Sequence, residues 1–273
     1  MGHKKVERIS PVTLNMPLAG VDSHAHLDGE EFDEDREAVL ALARESGVAY
    51  IGNVFLGPEE YARGRDYFAA HPEVFFLLGI HPCNGRKVTE ETLAAMRAAF
   101  AADSRLKAVG EIGLDFYWDD CPREIQYAAF RAQLDMAREL EKPVVIHCRD
   151  AAEETLMILE SAGFAGWPLL WHCFGGDASL LRRILRNGWH VSLPGPITYK
   201  ANSAVREAVP LIPADRLLVE TDSPYLAANP WRGRRNEPAF TVFTAACAAE
   251  LRGVSREELW QQAGDNARRF FGL

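Results

Sequence analysis

A chain of 273 residues is long enough for one large domain, and 48% hydrophobic with 25% charged residues is the composition of an ordinary soluble globular protein. No apolar run reaches the ~18 residues of a membrane span, and residues 1–16 lack the apolar core of a signal peptide, which predicts a polar tail on a cytoplasmic protein. The formal net charge of −9 excludes the broadly basic surface of proteins that coat long nucleic acid, so any nucleic-acid contact is expected to be local, at a chain end or a short single strand.

After the tail, an apolar β-like run recurs, each time followed by an amphipathic stretch of helical period. Strand Gly20–His24 precedes helix Asp33–Ser46, Ala49–Val54 precedes Pro58–Ala70, Val74–Ile80 precedes Glu90–Ala102, and Leu106–Glu111 precedes Pro122–Glu141. Val144–His147 is followed by Ala152–Ala162, Leu169–His172 by Asp177–Asn187, His190–Leu193 by Ser203–Val209, and Leu217–Glu220 by Ala239–Leu251. A last helix spans Ser255–Phe270. Gly47, Gly163 and Gly188 fall where helices should end, as a C′ glycine does. Pro122 suits a first helical turn, and Ser255 with Glu258 three residues on reads as a capping box. Strands alternating with helices imply a parallel sheet under helical cover. Eight units in a chain near the typical ~250 residues of the fold point to a closed (β/α)8 TIM barrel rather than an open doubly wound sheet. The expected organisation is a tail over residues 1–17 and one barrel domain over 18–273, ending in an extra C-terminal helix.

Active-site residues of such a barrel come from the C-terminal ends of its strands. Of eight histidines, five (His24, His26, His81, His147 and His172) lie at or just past such an end. His3 is in the tail, His71 closes a helix, and His190 opens a strand at the opposite rim. Glu111 and Asp115 after the fourth strand and Asp222 after the eighth join the same rim. Asp22, His24 and His26 share one strand face, and two neutral imidazoles two residues apart can bind one divalent ion. His-x-His alone is a weak signal; the gathering on one rim is the strong one. Glu111 lies between Gly110 and Gly113, which admit close backbone approach, and its two oxygens can bridge two metals. A lone strand-end Glu is usually solvated, but beside these histidines the ligand reading is the stronger. His147 and His172 end apolar runs and read as ligands of a second ion; the bland alternative is a pair of core histidines bonded to backbone carbonyls. Asp222 can hold a metal, orient the attacking water or take its proton; otherwise it caps a strand. Glu220 shares its face and lies deeper, as a support. Cys148 and Cys173 alternate away from the histidine face and read as packing residues. With Cys83, Cys121 and Cys247 they make an odd set of five without paired spacing, which predicts reduced thiols.

Taken together, Asp22-Ser23-His24-Ala25-His26, Gly79-Ile80-His81-Pro82, Gly110-Glu111-Ile112-Gly113-Leu114-Asp115, Ile146-His147-Cys148-Arg149, His172-Cys173-Phe174 and Glu220-Thr221-Asp222-Ser223-Pro224-Tyr225 resemble the motifs of the TatD family of metal-dependent deoxyribonucleases, within the amidohydrolase-like barrels. The ending Asn266-Ala267-Arg268-Arg269-Phe270-Phe271-Gly272-Leu273 is similar too, and the match runs in order from about Gly20 to Leu273. The resemblance implies one divalent ion on His24, His26, Glu111 and Asp222, and another on Glu111, His147 and His172. Two departures stand out. Cys83-Asn84 follow the Gly-x-His-Pro motif where family members often have a second His, which bears on substrate contacts of that loop. Met1–Pro17 is also longer than usual.

The resemblance and the site together imply a hydrolase with two divalent ions (Mg, Mn or Zn) that cleaves phosphodiester bonds near the ends of DNA or RNA. Asp222 and Glu111 would be the catalytic carboxylates, and His81 and Arg149 would grip the scissile phosphate. The loop Asn229–Pro238 follows the eighth strand, and its Arg232, Arg234 and Arg235 could meet phosphate. Arg235 is the candidate substrate contact among them; Trp231 offers a stacking face, and Asn236 alternatively caps the next helix. Tyr117 and Trp118 either stack on a base or pack the rim. An ester or amide hydrolase, such as an aminoacyl-tRNA deacylase, keeps the metals and changes the bond. A non-catalytic binding module would not need the full ligand set. A monomer that binds no membrane is expected.

Overall fold

A computed structural model describes residues 8–273. Its strands are β1 Gly20–Ala25, β2 Val48–Phe55, β3 Val74–Leu78, β4 Leu106–Asp115, β5 Val144–Arg149, β6 Leu169–Trp171, β7 His190–Leu193 and β8 Leu217–Val219. They form one sheet in sequence order, each parallel to the next. The ring closes just past β8: Ala25 bridges Ser223, Asp222 donates its N–H to the His24 carbonyl (2.9 Å), and His26 donates to the Ser223 carbonyl (2.8 Å). The helices are α1 Arg36–Glu45, α2 Pro58–Gly64, α3 Glu90–Ala102, α4 Arg123–Glu139, α5 Ala152–Ser161, α6 Ala178–Arg186, α7 Ser203–Ala208, α8 Thr241–Arg252 and α9 Arg256–Phe271. The fold is the expected (β/α)8 barrel with an added C-terminal helix. Among the described residues, no helix is long and apolar enough to cross a membrane.

Strands of a covered parallel sheet are buried on both faces and so read as continuous apolar runs. In β3, Val-Phe-Phe-Leu-Leu is buried throughout, and period two sorts it. Phe75 and Leu77 point into the barrel with Val21, Val54, Ala108, Val145, Leu170 and Leu218, while Phe76 and Leu78 face the helices. Helix α9 plugs the barrel through Phe270 and Phe271, whose ring centroid lies 4.7 Å from that of Phe75. Burying a Phe contributes ~2–3 kcal/mol, so this floor stabilises the end of the barrel away from the histidines.

Four details depart from the sequence reading. Strand β4 runs to Asp115, four residues past the expected end. The glycine-rich stretch keeps pairing with β5, from Ile112↔Ile146 to Asp115↔Arg149, after an irregularity between Val109 and Ile112. Pro122 is the extended residue before α4 (ψ 142°), not its first turn. Helix α2 ends at Gly64 and tightens into a 3-10 turn, Arg65–Phe68. In the stretch read as a tail, Met1–Glu7 lie outside the described residues, but Pro11–Leu14 form a 3-10 turn and Leu14 and Met16 are buried. The expected glycines hold: Gly47, Gly163 and Gly188 have φ of 98°, 74° and 80°. Of the capping box, the Ser255 half forms, its hydroxyl accepting the Glu258 N–H at 3.0 Å.

Candidate metal centre

Strand β1 delivers His24 into the barrel mouth, fully buried, with no hydrogen-bond partner on either ring nitrogen among the described residues. A buried imidazole without a partner is costly, so the chemistry of its surroundings decides what it is for. His24 Nε2 is 3.8 Å from Glu111 Oε1 and 3.8 Å from Asp222 Oδ1; His26 Nε2 is 3.7 Å and 3.4 Å from the same atoms. Donors placed tetrahedrally at ~2.1 Å around a divalent ion lie about 3.4 Å apart. His24, His26 and Asp222 offer donor atoms close enough to share one cation, and the Glu111 oxygen lies at a similar distance from both imidazoles. His26 Nδ1 lies 3.3 Å from the Val54 carbonyl and donates to it in the tautomer that leaves the Nε2 lone pair free for a metal.

The second oxygen of Glu111, Oε2, faces a different pair. His172 Nε2 lies 2.8 Å away and His147 Nδ1 3.1 Å away. Each of these histidines has a carboxylate behind it. Asp115 Oδ2 is 2.8 Å from His147 Nε2, an acceptor that holds the ring and raises its basicity. Glu220 Oε1 stands 3.4 Å from His172 Nδ1, out of hydrogen-bond alignment, and accepts the Cys173 N–H at 2.7 Å; its other oxygen accepts the Ser192 hydroxyl. The rings of His24 and His172 stack in parallel, centroids 4.0 Å apart. The two oxygens of Glu111 thus face two different pairs of histidines.

Close glycines make this possible. A Cβ on Gly113, at φ 148°, would fall 1.9 Å from the His147 carbonyl oxygen. The backbones of β4 and β5 meet there with no room for a side chain. Asp222 stands at φ 59° in the left-handed region, which Asp tolerates better than most residues.

The carboxylates and imidazoles of this cluster shift one another's pKa strongly. Burial opposes ionisation of Glu111, but the charge of His172, hydrogen bonds from His147 and His172, and the nearby His24 ring hold its carboxyl well below the usual range. Asp222 is likewise lowered: burial is outweighed by the His26 bond and the charges of His24, His26 and His172. Burial would depress His26, yet the Asp222 bond and the charges of Glu111, Asp222 and Asp28 raise it to about 9. His24 is lowered, first by burial and then by the charge of His172. A bound divalent ion would replace the protons that now balance these carboxylates.

The donor sets open into a cleft of about 1530 Å³ at the C-terminal ends of the strands. Among the described residues it is lined by eight carboxylates and, of the lysines and arginines, by Arg149 alone. His81 lies on its wall, its Nδ1 accepting the Cys83 N–H at 3.2 Å, which leaves the proton on Nε2. Burial, then the charge of His147, pushes its pKa down to about 4, so it is a neutral donor.

The loop after β8 departs from expectation. Arg235 does not face the cleft: its guanidinium pairs with both Asp35 oxygens (2.8 and 2.7 Å) and with Glu237 (3.0 Å), and also donates to the Glu31 carbonyl (2.6 Å). These bonds engage its donors at the start of α1 and within its own loop rather than in the cleft. Trp231 stacks on Phe240 (4.8 Å) and donates to the Ile9 carbonyl, so its face is covered as well. Asn236 is neither cap nor phosphate contact. It is buried, and its amide donates to the Thr221 (2.8 Å) and Tyr225 (2.6 Å) carbonyls, clasping the turn that carries Asp222. Asp22 does related work between β1 and β8, accepting from the Thr221 N–H (2.9 Å) and hydroxyl (2.5 Å). Its burial, which the Thr221 bonds only partly offset, pushes its pKa up to about 8. Period two placed Asp22 on the histidine face; nothing local in the sequence marked Asn236.

Residues 21–272 match the family model described as TatD related DNase. The chain belongs to the TatD family. It is 36% identical over 252 residues to the uncharacterized metal-dependent hydrolase YabD of Bacillus subtilis, covering 92% of this chain and 98% of that one. It is 36% identical over 258 residues to the 3'-5' ssDNA/RNA exonuclease TatD of Erwinia tasmaniensis, covering 92% and 99%. The crystal structure of YJJV, a TatD homologue from Escherichia coli K12, superimposes with a TM-score of 0.87 at 29% identity, covering 94% of this chain and 99% of that one. This TatD protein is accordingly a metal-dependent hydrolase, and its His, Asp and Glu clusters offer the donors that such an enzyme needs.

Proposed function

We propose that the chain is a binuclear phosphodiesterase that removes nucleotides from an end of single-stranded DNA or RNA. The observation that carries this reading is Glu111, whose two carboxylate oxygens each face a separate set of donors. His24, His26, Glu111 and Asp222 would hold one divalent ion; Glu111, His147 and His172 would hold the other. Mg, Mn and Zn are the candidates. When bound, such ions lower the pKa of water from 15.7 to about 7 and neutralise charge developing on phosphate oxygens. Asp222, kept ionised by its histidines, orients the attacking water and accepts its proton. His81 donates its Nε2–H to a phosphate oxygen. Arg149, two residues beyond His147 on β5, makes no ion pair among the described residues and presents its free donors to the phosphate. The exonuclease named among the relatives supports this choice of substrate.

A second reading is favoured by the lining of eight carboxylates against one arginine. A small carboxylic ester, including an aminoacyl ester, meets less repulsion there than a long polyanion. The deciding experiment offers metal-free protein, reconstituted with Mg²⁺, Mn²⁺ or Zn²⁺, an end-labelled single-stranded oligonucleotide and an aminoacyl ester. Stepwise shortening of the oligonucleotide is expected. Ester turnover with an intact oligonucleotide overturns the nuclease reading, and undiminished turnover in excess chelator overturns the metal mechanism.

A further inference from the structure

Past Asp115 the chain turns outward at the cleft mouth and leaves two large aromatic residues in the open. Tyr117 is 54% exposed and Trp118 52% exposed. The turn is not loose. Asp115 Oδ1 accepts the backbone N–H of both Tyr117 (2.9 Å) and Trp118 (3.0 Å), while Oδ2 faces His147 Nε2. One buried carboxylate therefore ties the aromatic turn to a candidate ligand. Across the β4–β5 pairing, Asp115 is in register with Arg149, whose guanidinium lies 3.7 Å from the Tyr117 ring centroid and 5.6 Å from that of Trp118. One face of Tyr117 is covered by Arg149 and its ring meets Trp118 edge to face at 89°. Both rings keep about half their surface exposed, and it is Trp118 that lines the cleft.

We propose that Trp118 is a stacking platform for one unpaired nucleobase beside the scissile phosphodiester, with Arg149 on that same phosphate. This rests on the nuclease reading above. A free aromatic face next to a guanidinium with unused donors matches the two halves of a nucleotide, and stacking on it requires a base face that a duplex keeps covered. Every base has such a face, so the platform selects single strands without selecting sequence. His147 and Arg149 share a strand face about 6.6 Å apart along β5, which sets the platform close to the second donor set. Asp120, two residues past Trp118, and Asp150, next to Arg149, also line the cleft, so a phosphate chain running past Arg149 meets negative charge. Recognition stops after about one nucleotide. With one phosphate contact, affinity should fall only about fivefold for a tenfold rise in salt.

The test measures binding of metal-loaded protein to fluorescent, phosphorothioate-linked oligonucleotides that resist hydrolysis. One carries bases throughout; the other is abasic in the two outermost nucleotides at each end. The wild type should bind the complete strand about tenfold more tightly, within the range for one base stack. Trp118→Ala should bind both alike, Trp118→Phe should recover most of the difference, and a blunt duplex should bind like the abasic strand. Equal affinities in the wild type, no binding of either strand, or a difference that survives Trp118→Ala overturns the platform. Hydrolysis of the ordinary oligonucleotide is scored separately. Cleavage without base preference removes the platform and keeps the nuclease; base preference without cleavage removes the nuclease and keeps the platform.

Discussion

Asp222→Asn separates charge from shape at the centre of the proposed site. Asn enters the left-handed region at least as readily as Asp, so the φ of 59° is tolerated. The backbone bonds of the turn, Asp222 N–H to the His24 carbonyl and Tyr225 N–H to the Asp222 carbonyl (both 2.9 Å), do not involve the side chain. What disappears is a negative charge 3.4 Å from His26 Nε2 and 3.8 Å from His24 Nε2. In the metal-free protein, burial works against His26 protonation, but Asp222, Glu111 and Asp28 together raise its pKa from 6.5 to about 9. A rise of that size is worth roughly 3 kcal/mol. Because burial opposes the rise, the three carboxylates together supply more than this net value, and losing Asp222 should cost on the order of 1–2 kcal/mol. Because folding raises this pKa, the stabilisation is fully present below about pH 6.5 and is lost as pH rises through about 9. The metal-free variant should therefore unfold at a lower temperature than wild type near pH 6, and the gap should close above pH 9. Turnover of the oligonucleotide at saturating metal should fall at least ~10²-fold, the low end for a general acid–base group. A strand-end cap would be served almost equally well by Asn. Turnover within a few-fold of wild type would therefore refute the assignment. His26→Gln probes the same donor set from the other side if Asp222→Asn does not fold.

Two further outcomes follow from the geometry. His26 must give up its proton to offer Nε2 to a metal, so metal affinity should climb with pH up to about pH 9 and then level off, with proton release on loading below that pH. Calorimetric titrations in buffers of different ionisation enthalpy measure that release, and an affinity indifferent to pH would contradict histidine ligation. Arg235→Ala should leave kcat/KM for the oligonucleotide within about threefold and lower stability by ~1 kcal/mol, since its pairs with Asp35 and Glu237 are partly solvent-screened. A large rise in KM would return Arg235 to the substrate.

Period-two and period-3.6 patterns are local properties, and they located all eight strands because a covered parallel strand must be apolar along its length. Strand β3 and helix α3 begin where their patterns begin. The same locality explains the misreading of β4. Gly110 and Gly113 look like the end of a strand, and only the proximity of β5 shows that their missing side chains let the two backbones touch. Pro122 was ambiguous for a related reason: proline suits both the extended residue before a helix and its first turn, and the neighbouring dihedrals decide.

The site divides along the same line. His24, His26, Glu111, His147, His172 and Asp222 could be gathered from sequence because a (β/α)8 barrel brings the C-terminal ends of all its strands to one rim, so position along each strand is enough. The partner of a loop side chain is not set by local position. Arg235 meets Asp35 two hundred residues away, Trp231 meets Ile9, and Asn236 reaches back to Thr221 and Tyr225. The loop's composition advertised phosphate contact, and the tertiary structure directed its arginine and tryptophan elsewhere. Arg149 kept its donors free because β5 carries it into a cleft whose other charged walls are acidic. The sequence by itself determined the barrel and the ring of donor residues, since both follow from periodicity and strand order. Only the folded chain decided which oxygen of Glu111 faces which histidines, and which guanidinium remains open to a substrate, because both depend on distances between segments remote in the chain.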